Sequence, residues 1–214
     1  MRLYLSSFRM GDHPERLVEL VGDDSRRAVV IANAMDDAPP DICRDGVERE
    51  LTSLTSLGFE PVELDLRDYF DDEQGLRHEL AGVGLAWLRG GNVFMLRHAL
   101  RRSGGDTAFA DLLARDALVY AGYSAGPCVL APSLRGLEIV DDADVVGRIY
   151  GAQPWWDGLG LLDVAFVPHY QSPGHPETSA IDLVVARYQA EGTPYRTLHD
   201  GQALIVNGTD TAIV

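Results

Sequence analysis

The sequence predicts an α/β fold: a mostly parallel sheet with helices on both faces and a C-terminal β-hairpin. Three observations carry this. Short apolar runs alternate with amphipathic stretches over the first two thirds of the chain, the pattern of successive βαβ units. Asn207-Gly208 separates two apolar runs near the C-terminus, a strong hairpin signal because both residues tolerate positive φ. Gly122-Tyr123-Ser124-Ala125-Gly126 follows the run Asp116-Ala117-Leu118-Val119-Tyr120-Ala121, as in a sharp strand-to-helix turn relieved by small residues. With 214 residues, 46% of them hydrophobic, residues 1–214 are read as a single α/β domain with a substantial core.

The elements follow in order. Arg2 to Ser6 reads as the first strand, and Met1 to Ser7 is too short and too quickly polar for a signal peptide. Ala28 to Ala32, Pro61 to Leu64, Leu85 to Leu88 and Ala117 to Ala121 read as further strands. Val47 to Leu57 and Val93 to Leu100 repeat apolar residues at three- and four-residue spacings, which predicts helices. Thr107 to Ala114 is a further helix. The acidic cluster Asp65 to Glu73 reads as a solvated surface loop rather than a metal site. Asp163 to Pro168 is a strand. Thr178 to Glu191 is a helix with its apolar face at Ile181, Val184, Val185 and Tyr188. Arg196 to Leu198, Ala203 to Val206 and Thr211 to Val214 are short strands.

Charge and cysteine content exclude several classes. The net charge is −15, the opposite sign to a nucleic-acid footprint. No apolar stretch is long enough to span a bilayer. Cys43 and Cys128 make neither a disulfide scaffold nor a zinc pair, so both are read as reduced thiols in a cytoplasmic protein. Cys128 reads as a small core residue. All 18 basic residues are arginines, which excludes Schiff-base, P-loop-lysine and Ser-Lys chemistry.

Open parallel sheets place ligands at the carboxyl ends of their strands. Ser124 and Gly90-Gly91-Asn92 both sit just past such ends, so the two glycine-bearing turns can face one crevice. A serine nucleophile needs a base, and the base needs an orienting group. His13, His78 and His98 read as polar residues of loop or helix surface. His169 ends the strand Asp163 to Pro168, at the edge of the sheet that carries Ser124. His175 lies nearby and His199 precedes Asp200. Two triads fit: Ser124, His169 and Asp200, or Ser124, Asp163 or Asp182, and His199. The second has the α/β-hydrolase order, but the serine falls late for that fold. Trp155-Trp156 reads as a packed aromatic pair rather than a substrate wall. Arg135 and Arg148 are possible sources of charge from the preceding loop.

Four segments resemble the peptidase E family of serine peptidases, which includes cyanophycinase. Gly122-Tyr123-Ser124-Ala125-Gly126 resembles its nucleophile segment, and Arg89-Gly90-Gly91-Asn92-Val93-Phe94 its Gly-Gly-Asn turn. Val167-Pro168-His169-Tyr170 resembles its Asn-Pro-His-Phe segment. Gly174-His175-Pro176-Glu177-Thr178 resembles its Gly-His-x-Gly-Glu-Thr segment, shortened by one residue. The matches run in order from about Leu3 to Val214.

The resemblance implies the fold of class I glutamine amidotransferases, a flavodoxin-like sheet with an added hairpin. It implies Ser124 as nucleophile, His169 as base and Asp200 as third member, with Asp where the best-known member has Glu. The N–H groups of Gly91 and Ala125 would form the oxyanion hole. Asn92, Glu177, Ser179 and Tyr123 are the candidate substrate-binding residues, Glu177 for a free amino group. The family's aspartyl dipeptidases carry an arginine after Glu-Thr, where this chain has Ser179. Serine cannot supply the charge-assisted fork that binds a carboxylate, so Asp-X specificity is not expected.

The expected activity is serine-peptidase hydrolysis of short peptides with release of the N-terminal residue. No metal or organic cofactor, nucleic acid or membrane is expected to take part, and the chain is expected to be a monomer or homodimer. The alternatives are an esterase, an amidase, a cyanophycinase-like hydrolase, or a non-catalytic amidotransferase-like binding domain.

Overall fold

The apolar runs assemble as a sheet whose carboxyl edge carries the candidate residues. The structure is a computed structural model that describes residues 1–22 and 25–214. Its strands are β1 (Arg2–Ser6), β2 (Arg27–Ile31), β3 (Glu60–Glu63), β4 (Leu85–Leu88), β5 (Val119–Tyr123), β6 (Ala165–Val167), β7 (Tyr195–Thr197), β8 (Ala203–Asn207) and β9 (Asp210–Ile213). Its α-helices are α1 (Glu15–Val21), α2 (Pro40–Ser56), α3 (Glu73–Glu79), α4 (Val93–Ser103), α5 (Gly105–Ala114), α6 (Ala125–Cys128), α7 (Val145–Tyr150) and α8 (Thr178–Glu191).

Seven strands form one sheet in the order β3-β2-β4-β5-β1-β8-β9. The first five strands of the chain pair in parallel, β8 pairs antiparallel to β1, and β9 to β8. Alternation along each strand divides the core. Leu3, Leu5, Val29, Ile31, Leu88 and Tyr120 face a layer containing Phe94, Leu100, Phe109, Val184 and Tyr188. Tyr4, Val30, Trp87 and Ala121 face Leu17, Leu20 and Leu54 on the other side. Helices therefore cover both faces, and the predicted hairpin turns at Asn207-Gly208 between β8 and β9.

The differences from expectation have local causes. β5 ends at Tyr123, two residues beyond the predicted strand, so Ser124 follows it directly. α2 begins at Pro40, well before Val47. Pro at the first helical position is favourable because its missing N–H would be unpaired there anyway. The short helices α1, α3 and α7 show too few turns for a periodic signal. The segment Asp65 to Glu73 is not a simple solvated loop. A 3-10 turn, Leu66–Tyr69, buries Leu66, and Asp65 holds Asn33 Nδ2 and the Arg67 guanidinium.

Two corrections bear on the site. β6 lies outside the main sheet and pairs in parallel with β7 alone. His169 thus reaches the carboxyl edge from a separate two-stranded ribbon. His98, expected on the helix surface, is buried. Its ring stacks on Tyr150 at 4.6 Å between centroids. Burial pulls its pKa below the ordinary histidine value, which keeps it an uncharged packing residue.

Candidate active site

Three neighbouring strand ends build the site. β4 delivers Arg89 to Asn92, β5 delivers Ser124, and β1, beside β5, delivers Ser7 and Phe8. Ser124 has φ 53° and ψ −111°, a region that costs a non-glycine residue about 1–3 kcal/mol. The surroundings hold it there. Gly126 packs so tightly on β4 that a Cβ would lie 2.5 Å from the Leu88 carbonyl oxygen. The Tyr120 hydroxyl donates to the Gly126 carbonyl at 2.7 Å. α6 is one turn long, and Ala125 is its first residue, so the Ala125 N–H has no intrahelical acceptor. Gly91, with φ 151°, could not carry a side chain, because its Cβ would lie 2.4 Å from the Ala34 carbonyl oxygen.

His169 and Asp200 meet as the first triad requires. His169 Nδ1 lies 2.7 Å from Asp200 Oδ1. A carboxylate only accepts, so Nδ1 carries the proton and Nε2 keeps its lone pair. Burial lowers the His169 pKa below the ordinary 6.5, while the hydrogen bond and charge of Asp200 pull it back up. Ser7, which the sequence reading did not single out, supports both partners. Its Oγ accepts the His169 backbone N–H at 2.8 Å and donates to Asp200 Oδ1 at 2.8 Å. Ser172 Oγ accepts the Asp200 N–H at 2.8 Å. The second triad finds no support: the His199 ring is exposed and bonds through Nδ1 to the Tyr170 carbonyl at 2.7 Å.

Ser124 and His169 line one cleft of about 430 Å³, together with Gly91, Asn92, Tyr123 and Glu177. Asn92 and Tyr123 also hold the scaffold. Asn92 Oδ1 caps α4 by accepting from the N–H groups of Phe94 and Met95, and its Nδ2 donates to the Asp142 carbonyl. The Tyr123 hydroxyl donates to buried Glu50 at 3.0 Å, and burial raises its pKa to about 12. Ser179 is exposed in the first turn of α8 and lies outside the cleft lining. Trp155, Trp156, Arg135 and Arg148 also lie outside it. Arg135 packs over Trp156, and Arg148 pairs with Asp142.

The structure adds residues that the sequence did not single out for the site, Arg89 among them although it opens the Gly-Gly-Asn segment. Phe8 presents its ring edge-on to His169 at 5.8 Å and to His175 at 5.5 Å. Arg9, Arg49 and Arg89 bring positive charge, and Asp141 a carboxyl. Burial pushes the Asp141 pKa up to about 7 against the pull of the Val93 N–H, with the Glu177 and Asp37 charges adding to the rise. Their positions depend on packing between distant segments, which local pattern does not report.

His169, His175 and Glu177 place ligand-type atoms within 4.8 Å of one another. A metal held by two imidazoles lies near the plane of each ring. The two rings here are parallel within 3° and 3.7 Å apart, so no point lies in both planes. As arranged, the cluster is a stacked pair rather than a formed metal centre.

A serine turn that shares one cleft with a histidine held by an aspartate agrees with what the chain is similar to. It is 26% identical over 164 residues to the "Uncharacterized peptidase Lmo0363" of Listeria monocytogenes, covering 77% of this chain and 75% of that protein. It is 29% identical over 129 residues to the "Uncharacterized peptidase Lin0382" of Listeria innocua, covering 59% and 57% respectively. The crystal structure of a "Putative Peptidase E Protein" from Listeria monocytogenes EGD-e matches its fold with TM-score 0.81 at 22% identity, over 100% of this chain and 97% of the other. A peptidase from an acI-B1 Actinobacterium matches with TM-score 0.72 at 16% identity, over 100% and 86%. The model of peptidase family S51 matches residues 6–214, and the chain therefore belongs to that family.

Proposed function

We propose that this protein is a serine peptidase that hydrolyses short peptides through Ser124, His169 and Asp200. The observation that carries the reading is that His169, held at 2.7 Å by Asp200, lines the same cleft as Ser124 on its strained turn. The arrangement supports the following chemistry. His169 Nε2 takes the Ser124 hydroxyl proton as Oγ bonds to the peptide carbonyl carbon. The N–H groups of Gly91 and Ala125 hold the carbonyl oxygen as it becomes an oxyanion. His169 returns the proton to the leaving amine, the C–N bond breaks, and an acyl-Ser124 ester remains. Water then gives a proton to His169 as its oxygen bonds to the ester carbon, the bond from that carbon to Ser124 Oγ breaks, and His169 passes the proton to Oγ, which frees the acid and restores both residues. Asp200 stabilises the imidazolium at each proton transfer. Glu177, which lines the cleft, supplies the carboxylate this reading assigns to a substrate ammonium group.

The test is digestion of a dipeptide and tripeptide library with wild type and Ser124→Ala side by side. Release of amino acids by wild type alone supports the reading. Full activity in Ser124→Ala overturns it.

A further inference from the structure

The missing arginine after Glu177-Thr178 leaves open what in this cleft could bind a carboxylate. Three features of the opposite wall address this.

Glu50 on α2 is buried, yet its oxygens accept from two neutral donors, the Trp87 Nε1–H and the Tyr123 hydroxyl, each at 3.0 Å. Two guanidinium groups then approach the same Oε1 without bonding to it. Arg49 lies at 3.6 Å and Arg89 Nε at 3.8 Å. One buried carboxylate thus faces two guanidinium groups at the cleft wall, at a distance from each that is longer than a hydrogen bond.

Arg89 is also built into place. Its side chain is only 9% exposed, and its guanidinium lies against the backbone of α2 at Gly46. A Cβ on Gly46 would come within 2.8 Å of Arg89 Cζ. The hydrogen bond that this side chain donates to the Gly90 carbonyl is a long one, 3.4 Å from Nη1. Nε of Arg89 and Nε of Arg49 are both buried without a hydrogen-bond partner among the described residues. Guanidinium forks with unspent donors are suited to carboxylates.

Both arginines line the cleft that holds Ser124. Gly90, next to Arg89, packs against the nucleophile turn so closely that a Cβ would sit 2.9 Å from Ser124 Cβ. The cleft's acidic residues are Asp37, Asp141 and Glu177; Asp141 accepts from the Val93 N–H and Glu177 stands beside His169 and His175.

We infer that Arg49 and Arg89, poised on Glu50, form a carboxylate-binding subsite of the substrate cleft, serving in place of an arginine at position 179. The inference rests on the reading of this cleft as the peptide site. The carboxylate can come from an acidic side chain or from the free C-terminus of a short peptide; both present the same planar anion to the fork.

The test measures binding to Ser124→Ala by calorimetry, so that no turnover is needed. Two matched pairs are compared: Ala-Leu against its C-terminal amide, and Asp-Leu amide against Asn-Leu amide. In at least one pair the carboxylate form should bind about 10- to 100-fold more tightly, the range expected for charged hydrogen bonds. That advantage should shrink to a few-fold or less in Arg49→Gln. It should also shrink in Arg89→Gln, made together with Glu50→Gln so that no buried carboxylate is stranded. Loss in the first pair identifies the free C-terminus as the source, and loss in the second the side chain. Equal affinity within both pairs, absence of binding by all four peptides, or an advantage retained in the arginine variants would overturn the subsite. Wild-type hydrolysis is scored separately. Discrimination without turnover upholds the subsite and removes the peptidase reading, and turnover without discrimination does the reverse.

Discussion

Ser7 and Asp200, 193 residues apart, share a hydrogen bond of 2.8 Å that ties the candidate His–Asp pair to the carboxyl end of β1. The same Ser7 hydroxyl accepts the backbone N–H of His169, so one buried side chain positions both members of the His–Asp pair. Ser7→Ala leaves that N–H without its acceptor and Asp200 with one donor fewer. The expected result is a loss of about 1–3 kcal/mol in unfolding free energy and a fall in kcat of roughly tenfold, as imidazole orientation relaxes. Denaturant melts and peptide-release rates on the same preparation check both. Unchanged kcat would mean that Ser7 is structural only.

Ser124→Ala is expected to lower kcat by roughly four to six orders of magnitude, because members of a triad act as a unit. The fold should be retained, since alanine keeps the small Cβ and meets the same backbone conformation. Circular dichroism and peptide release give the two readouts.

Asp200→Asn should lower kcat by about four orders of magnitude, as expected when the orienting acceptor is lost and the imidazole tautomer changes. The His169 pKa should also fall further, since Asp200 is the group that pulls it up. An imidazole NMR titration of wild type and variant measures that shift. A rise instead of a fall would contradict the pairing.

The pH–rate profile has a predictable acid limb. His169 must be neutral to take the serine proton, so kcat/KM rises as pH rises through its pKa. Burial dominates and lowers that pKa, which places the midpoint below 6.5 and the plateau at neutral pH. A midpoint above 6.5 would show that the Asp200 charge outweighs burial.

Asp141 has the opposite linkage. Its folded-state pKa is raised from 3.8 to about 7, so the folded protein retains a proton that the unfolded chain releases. Its favourable contribution is present below pH 3.8 and is lost as pH rises through about 7. Asp141→Asn keeps an acceptor for the Val93 N–H and removes the charge. It should stabilise the protein by about 1–2 kcal/mol at pH 8, after allowance for partial exposure, and by little near pH 4. Thermal melts across pH measure the difference.

Much of this architecture was legible in the chain. Local chemistry determined the strand-to-helix turn at Ser124, the hairpin at Asn207-Gly208 and the helix Thr178–Glu191, because turn residues and apolar period act over a few positions. The ordered motifs around Gly91, Ser124, His169 and Glu177 pointed to the peptidase family before any geometry. Tertiary structure decided the rest. It placed His169 on a two-stranded ribbon outside the main sheet, paired it with Asp200 while His199 bonds the Tyr170 carbonyl, and buried His98 against Tyr150. It also gathered Ser7, Arg49, Arg89 and Asp141 into or beneath the cleft. The physical reason is range. A periodic pattern reports which face of a segment seeks the core, whereas a carboxylate's partner or a cation's burial depends on segments brought together only when the sheet closes.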